Sequence, residues 1–335
     1  MLSEFSLIDR FFARRASALP HPQGAALGIG DDCALLAPPA GEMLAISTDM
    51  LVEGRHFFPD VDPKALGHKA LAVNLSDLAA MGAKPQAFTL AFSLPKADAD
   101  WLSAFSDGLF ELAGRQGCEL VGGDTTSGPL NLCITVFGSV PPQAALRRDA
   151  AQPGDDIWVS GTLGDARASL GVQRGEWTAD ATDAATFRRA MEWPEPRIAL
   201  GLALRGIARA ALDVSDGLAG DLMHILERSQ VNASVDADAL PRSDALRRLP
   251  ADVQRRCTIA GGDDYELCFT APSTLREAVV AAGQQARVPV TRIGTITAPD
   301  PAGAVSTAAP MIVWHDASGA PLTLTLQGFD HFHAE

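Results

Sequence analysis

Lysine is scarce in this 335-residue chain: there are four, at positions 64, 69, 84 and 96, all in the first third. No Gly-Lys-Ser or Gly-Lys-Thr element occurs, which excludes a lysine-bearing phosphate loop. Cysteine offers neither a disulfide framework nor a zinc site. The five cysteines, at 33, 118, 133, 257 and 268, are scattered, and there is no Cys-x-x-Cys pair. Most lie in apolar stretches, such as Leu132-Cys133-Ile134 and Leu267-Cys268-Phe269, and read as buried reduced thiols. No apolar run approaches the ~20 residues that a membrane span needs. The opening Met1-Leu2-Ser3-Glu4-Phe5-Ser6 lacks the basic-then-apolar layout of a signal peptide. The expectation is a cytoplasmic protein with no membrane partner. Basic charge is short as well: 27 Lys and Arg against 41 Asp and Glu leave a net charge of −14. Nucleic acid is therefore not an expected partner, since backbone binding needs basic patches. Phosphate ligands stay open, provided that metal ions, arginines and backbone N–H groups meet their charge.

What the chain does have is a series of short acidic motifs. They are Gly28-Ile29-Gly30-Asp31-Asp32, Ser47-Thr48-Asp49, Asn74-Leu75-Ser76-Asp77, Gly122-Gly123-Asp124-Thr125-Thr126, Asp213-Val214-Ser215-Asp216-Gly217 and Gly261-Gly262-Asp263-Asp264-Tyr265-Glu266. Each sets a carboxylate beside glycine, serine or threonine. Hard divalent cations want oxygen ligands held by tight turns, and several such ions would let an acidic protein hold a polyphosphate.

Length and an apolar content of 47% suit two domains with sizeable cores. Residues 3–15 read as an amphipathic helix with Phe5, Ile8 and Phe12 on one face. Met43 to Ser47 reads as a short buried strand that delivers Thr48 and Asp49 at its end. Asp62-Pro63 is a helix start, and the helix should run to about Met81 and close at Gly82. It is apolar nearly all round, with Asn74 and Asp77 sharing a face; a carboxylate there is costly unless paired or metal-bound. Strands are expected at 87–93, 118–121 and 131–140, with a helix over roughly 99–115. Pro141, Pro142, Pro153 and Gly154 mark a boundary. A second α/β unit then begins at Asp156 to Ser160. Ala211 to Val214 is another strand, turning through Ser215-Asp216-Gly217 into a helix near 218–229, a setting suited to phosphate or metal. The same spacing of 139 residues separates Ser76-Asp77 from Ser215-Asp216 and Asp124 from Asp263, a short echo that chance or shared site chemistry explains as well as duplication does.

Each motif also has a plain structural reading. Gly30-Asp31-Asp32 is a common turn, and Ser47-Thr48-Asp49 an ordinary cap. Asp77, in an apolar helix, is harder to dismiss. Asp124, after two glycines, suits close backbone approach to a phosphate. Asp213, Ser215 and Asp216 put three oxygen ligands within four residues. His56 lies among aromatics and has no second histidine at zinc-ligand spacing. Arg148 is either a surface charge or a fork for phosphate oxygens. Two carboxylates acting as a glycosidase acid and base remain an option.

In order and spacing, these motifs resemble the thiamine-monophosphate kinases of the AIR-synthase-like (PurM-like) superfamily. The resemblance runs from Glu4-Phe5-Ser6-Leu7-Ile8 to Gly328-Phe329-Asp330-His331-Phe332 and is most specific over Lys69 to Gly82. It implies an α/β (α+β) architecture: a mixed-sheet domain over 1–141 that binds metal and ATP and forms a homodimer, an α/β domain over 150–335, and ATP in the cleft between them. The implied reaction is ATP-dependent conversion of thiamine monophosphate to thiamine diphosphate, the last step in making that cofactor. Several Mg2+ ions would be held by Asp32, Ser47, Thr48, Asp49, Asp77, Asp124, Asp213 and Asp216. Of these, Asp77, Asp49, Asp124, Asp213 and Asp216 would carry the catalysis. Gly123, Asp124, Arg148 and Ser215 would contact ATP. His56, Asp263 and Phe329 would contact thiamine monophosphate. Asp263 stands where the family usually has Glu, so Asp264 or Glu266 is an alternative contact. Rival readings are another AIR-synthase-like ATP-dependent synthetase, a metal-dependent phosphatase, or a non-catalytic binder of nucleotide or thiamine phosphate.

Overall fold

Asp62 caps the helix that it was expected to start. In the computed structural model, which describes residues 4–18, 25–299 and 310–324, its Oδ1 accepts the N–H of Lys64 (2.7 Å) and of Ala65 (3.3 Å). Pro63 follows at the first helical position, where its missing N–H costs nothing. The helix, α3, spans Pro63–Ala80, and Gly82 closes it. Leu66, Leu71, Leu75 and Leu78 are fully buried, as the all-round apolar sequence requires.

The chain divides into two compact units, one comprising 1–78 and 83–143, the other 79–82 and 144–335. The first opens with α1 (Glu4–Ile8), a π-helical turn (Asp9–Ala13) and α2 (Arg14–Ala18). The π turn carries the helix to Ala18 and shifts its facing, so that Phe11 and Phe12 are buried with Leu7. A two-stranded ribbon, β1 (Ala25–Leu27) and β2 (Leu35–Leu36), comes next. The main sheet is built from β3 (Met43–Val52), β4 (Lys84–Leu94), β5 (Glu119–Ser127) and β6 (Asn131–Val140), in the order β3-β6-β4-β5. Only β4 and β5 run parallel, and α4 (Ala99–Gln116) joins them.

Two strand expectations need correction. β3 is twice the expected length, so Ser47, Thr48 and Asp49 lie in its middle and alternate between its faces. Nor is it buried: Leu44, Ile46 and Met50 are 41%, 60% and 51% exposed, because nothing in the described chain covers that face. β5 continues through Gly122 and Gly123, so Asp124 sits within a strand rather than after one.

The second unit holds a seven-stranded sheet, with β7 (Asp155–Ser160), β8 (Ala210–Asp213), β9 (Asn232–Asp236), β10 (Leu267–Pro272), β11 (Val290–Thr297), β12 (Ile312–His315) and β13 (Pro321–Leu322) in the order β13-β12-β9-β11-β7-β10-β8. Only β12 and β9 are parallel. The helix α8 (Leu218–Ser229) packs Leu222, Ile225 and Leu226 onto Ile157, Val159, Leu212 and Val235. A second cluster, Ala168, Phe187, Leu246 and Cys257, joins α5 (Asp165–Arg174), α6 (Ala181–Glu192), α9 (Asp244–Arg247) and α10 (Ala251–Ala260). Charges buried in β7 are paired: Arg276 and Arg292 both engage Asp156, and Arg209 faces Asp155. Cys118, Cys257 and Cys268 are buried as expected, whereas Cys133 is half-buried and Cys33 exposed. The two halves of the 139-residue echo occupy unlike settings, Ser76-Asp77 inside a helix and Ser215-Asp216 in a loop. No helix among the described residues is long and apolar enough to cross a membrane.

Candidate functional site

In the first unit, one face of β3 meets α3. Ser47 Oγ donates to Asp77 Oδ2 at 2.5 Å, and the Asp49 N–H donates to Asn74 Oδ1 at 3.0 Å. The period of two along β3 puts Ser47 and Asp49 on this helix-covered face, while the three- and four-residue spacing of α3 brings Asn74 and Asp77 up beside them. Thr48 lies on the opposite face, hydrogen-bonded to Thr135. Asp124 is not part of this group. Strand order places β5 at the far edge from β3, and register pairs Asp124 with Ala91 on the exposed face. Gly123 answers to the fold: a Cβ there would lie 1.8 Å from the Leu90 carbonyl oxygen, at φ +150°. At this glycine β5 thus lies too close to β4 for a side chain. Asp32 is exposed beside Asp31, whose Oδ1 accepts its N–H.

His56 sits in a tight turn after β3, where Arg55 and His56 both donate their N–H to the Val52 carbonyl. Its Nδ1 accepts the N–H of Val52 at 3.0 Å. That bond assigns the ring proton of the neutral imidazole to Nε2, so the ring can act as a donor there.

In the second unit, two of the acidic motifs are knitted together. Asp263 N–H donates to Ser215 O (2.8 Å), Tyr265 N–H to Val214 O (2.9 Å), and Val214 N–H to Glu266 O (2.8 Å). Gly262 permits the contact, since a Cβ would lie 2.3 Å from Ser215 O. The bonds hold Asp263 and Tyr265 at φ 66° and 50°, a region that non-glycine residues rarely occupy. Tyr265 donates its hydroxyl to Asp263 Oδ1 at 3.1 Å. Asp213, at the end of β8, is buried, and Ser215 and Asp216 are half-buried. Arg148 is exposed, and its carbonyl accepts from Ser229.

The neighbours of Asp263 are engaged elsewhere. Both oxygens of Asp264 face the N–H of Gly164, at 2.9 Å, at the start of α5; burial pushes this carboxyl well above the usual range. Glu266 is clamped by Arg197 through Nε (2.7 Å) and Nη2, and also accepts from Ser160. Both carboxylates, named above as alternatives to Asp263, thus already have protein donors. Sequence reasoning did not find Arg197, Ser160 or Asp221. Asp221, in the first turn of α8, accepts the N–H groups of Ser215 and Asp216 at 3.0 Å each. Burial, then the nearby charge of Asp216, pushes its carboxyl up to about 7. An acid among buried Leu218 and Leu222 was the available signal. Phe329 lies outside the described residues.

No three His, Cys, Asp or Glu side chains among the described residues are grouped to hold a metal unaided. The donors present are carboxylates and hydroxyls: Ser47, Asp49 and Asp77 in the first unit, Asp213, Ser215 and Asp216 in the second. They fit Mg2+, which binds through one or two carboxylates together with waters and substrate phosphates.

Two family models cover most of the chain. Residues 30–140 match the family AIR synthase related protein, N-terminal domain, and residues 152–305 its C-terminal domain. Thiamine-monophosphate kinase of Salmonella typhimurium is 49% identical over 332 residues, 98% of each chain. The chain belongs to the thiamine-monophosphate kinase family. A crystal structure of the thiamine-monophosphate kinase from Stenotrophomonas maltophilia K279a superposes with a TM-score of 0.83 at 48% identity, covering 96% of this chain and 98% of that one. AaThiL complexed with AMPPCP and TMP does so with a TM-score of 0.73 at 26% identity, covering 99% and 97%.

Proposed function

We propose that this protein transfers the γ-phosphoryl group of ATP to thiamine monophosphate, giving thiamine diphosphate and ADP. Near-full-length identity of 49% to a thiamine-monophosphate kinase is the observation that carries the reading. The acceptor is a phosphate oxygen, already anionic at neutral pH, so the chain needs no general base. The obstacle is repulsion: two unit charges ~4 Å apart cost about 4 kcal/mol at an effective dielectric of 20. Bound Mg2+ supplies charge neutralisation and in-line orientation of the phosphates. Asp49 and Asp77, with Ser47, would hold one such ion, and Asp213 and Asp216 would hold another. Asp32, Thr48 and Asp124 complete the proposed metal set, and Gly123, Asp124, Arg148 and Ser215 the nucleotide contacts. His56 donates from Nε2 to the substrate, and Asp263, held by Tyr265, contacts it in place of the usual Glu; Phe329 belongs to the same proposed set.

We take 1–141 and 150–335 as the two domains, and the cytoplasm, where ATP is available, as the place of reaction. The exposed Leu44, Ile46 and Met50 on β3 support a homodimer formed through that face. The test is ADP release by the purified protein with ATP and Mg2+, comparing thiamine monophosphate, thiamine and no acceptor. ADP and thiamine diphosphate are expected together, and only with the monophosphate. ADP formed without an acceptor would instead identify a hydrolase or a sister synthetase.

A further inference from the structure

Asparagine is a poor choice for the interior of a helix, yet Asn74 stands well inside α3 and is 1% exposed. Both ends of its amide are used. Oδ1 accepts the N–H of Asp49 at 3.0 Å, and Nδ2 donates to the Ala70 carbonyl at 3.0 Å. The partners fix which way the amide points, because a backbone N–H only donates and a carbonyl only accepts. One side chain thus joins the main chain of α3 to the main chain of β3. A carboxylate at 74 has no donor for the Ala70 carbonyl, and an apolar side chain serves neither group.

The strand end of this tie matters as much. Among the described strands, β3 pairs only with β6 and forms the edge of its sheet. Alternate N–H groups of an edge strand face away from the ladder and ordinarily go to water. The Asp49 N–H goes to Asn74 instead. Two residues back along β3 and three residues on along α3, Ser47 Oγ donates to Asp77 Oδ2. The two bonds are successive rungs between strand and helix. They fall on Asp49 and Asp77, the two carboxylates proposed to share an ion. Mg2+ demands near-ideal octahedral geometry, and a site keeps its geometry only when the elements that carry its ligands are locked together.

We infer that Asn74 is a positioning residue: by accepting the Asp49 N–H it fixes β3 against α3 and so sets the spacing of the Asp49 and Asp77 carboxylates. The inference rests on the reading of those two residues as metal-binding, and it gives Asn74 itself no bond to the ion.

Mn2+ binding to the full chain in the presence of AMPPCP, followed by electron paramagnetic resonance, tests it without turnover. Asp77→Asn identifies the ion, as the Mn2+ whose binding it weakens. Asn74→Ala should weaken that same Mn2+ by about tenfold or more, the usual effect of losing an outer-shell partner. Asn74→Leu fills the same space without an acceptor and should weaken it alike, so the test stands if the alanine variant does not fold. Wild-type affinity for that ion in either folded variant overturns the inference alone and leaves Asn74 a structural tie. Asn74→Asp keeps an acceptor for the Asp49 N–H and should stay within about threefold of wild type. A larger shift in either direction also overturns the inference: tighter binding would make residue 74 a ligand, and weaker binding would mean that the acceptor is not what counts. Wild-type protein that binds no Mn2+, or Asp77→Asn protein that binds it undiminished, overturns instead the metal reading beneath.

Discussion

Glu266→Gln separates a structural glutamate from a substrate-binding one. Glu266 is 4% exposed and receives Arg197 in a two-pronged contact, with Ser160 Oγ as a third donor. The amide keeps the size but presents an NH2 group to one of these donors and leaves the guanidinium without its counter-charge. Removing one partner of a buried pair costs about 3–5 kcal/mol. The Arg197 side chain retains 23% exposure and regains some solvation, and Glu195 adds a little attraction, so roughly 2–4 kcal/mol is the reasoned loss. Equilibrium urea unfolding at neutral pH measures it, with steady-state kinetics on the same preparation. The expected pattern is a large drop in the unfolding midpoint with an unchanged slope. A loss below about 1 kcal/mol, a value typical of exposed pairs, together with a sharply raised KM for thiamine monophosphate, would refute the reasoning and return Glu266 to the substrate site.

The remaining predictions address the site and the sheet. Asp77→Asn should lower kcat by about 100-fold or more, the scale of a lost electrostatic contact; near-wild-type turnover across a Mg2+ titration removes Asp77 from the metal set. His56→Ala should raise KM for thiamine monophosphate with ATP affinity little changed, and an equal loss of both would contradict a substrate-specific role. The carboxyl of Asp221 is raised by burial and by Asp216, so the folded state binds its proton more tightly than the unfolded state does. Its contribution is fully present below pH 3.8 and is lost as pH rises to about 7. In EDTA, Asp221→Asn should therefore match wild type near pH 4 and exceed it at pH 8 by up to roughly 4 kcal/mol, at about 1.4 kcal/mol per pH unit; parallel urea midpoints at both pH values would contradict this. Ile46→Lys should leave the unit folded and shift sedimentation from dimer to monomer, and an unchanged dimer would move the interface off β3.

Elements whose cause is local were legible in the sequence. The Asp62-Pro63 start, the Gly82 stop and the all-apolar surface of α3 are written in adjacent residues, and the structure follows them closely. The run Met43 to Ser47 shows the limit. An apolar strand looks buried to a reader of sequence, but burial depends on whether another layer exists, and a covering partner is not encoded in the strand itself. The π turn at Asp9–Ala13 is likewise silent, because one extra residue per turn has no compositional marker. At the site, the motifs were visible but not their division of labour. Asp263 and Tyr265 have backbone angles that their residue types disfavour, and the N–H bonds they donate to carbonyls of a loop some fifty residues earlier help hold them there.

That division of labour follows one physical rule. A carboxylate whose acceptor sites are filled by protein donors is structural, however suggestive its motif. Asp264 faces the Gly164 N–H, Glu266 is held by Arg197 and Ser160, and Asp221 gathers the N–H groups of its own loop. At Asp77 one donor is the hydroxyl of Ser47, which can turn its lone pairs to a cation and so join the carboxylate as a ligand. Motif counting treats Asp264, Glu266 and Asp77 alike and passes over Asp221. Sorting them by the identity of their donors, backbone N–H and guanidinium against a rotatable hydroxyl, separates those that build the site from the one placed to work in it.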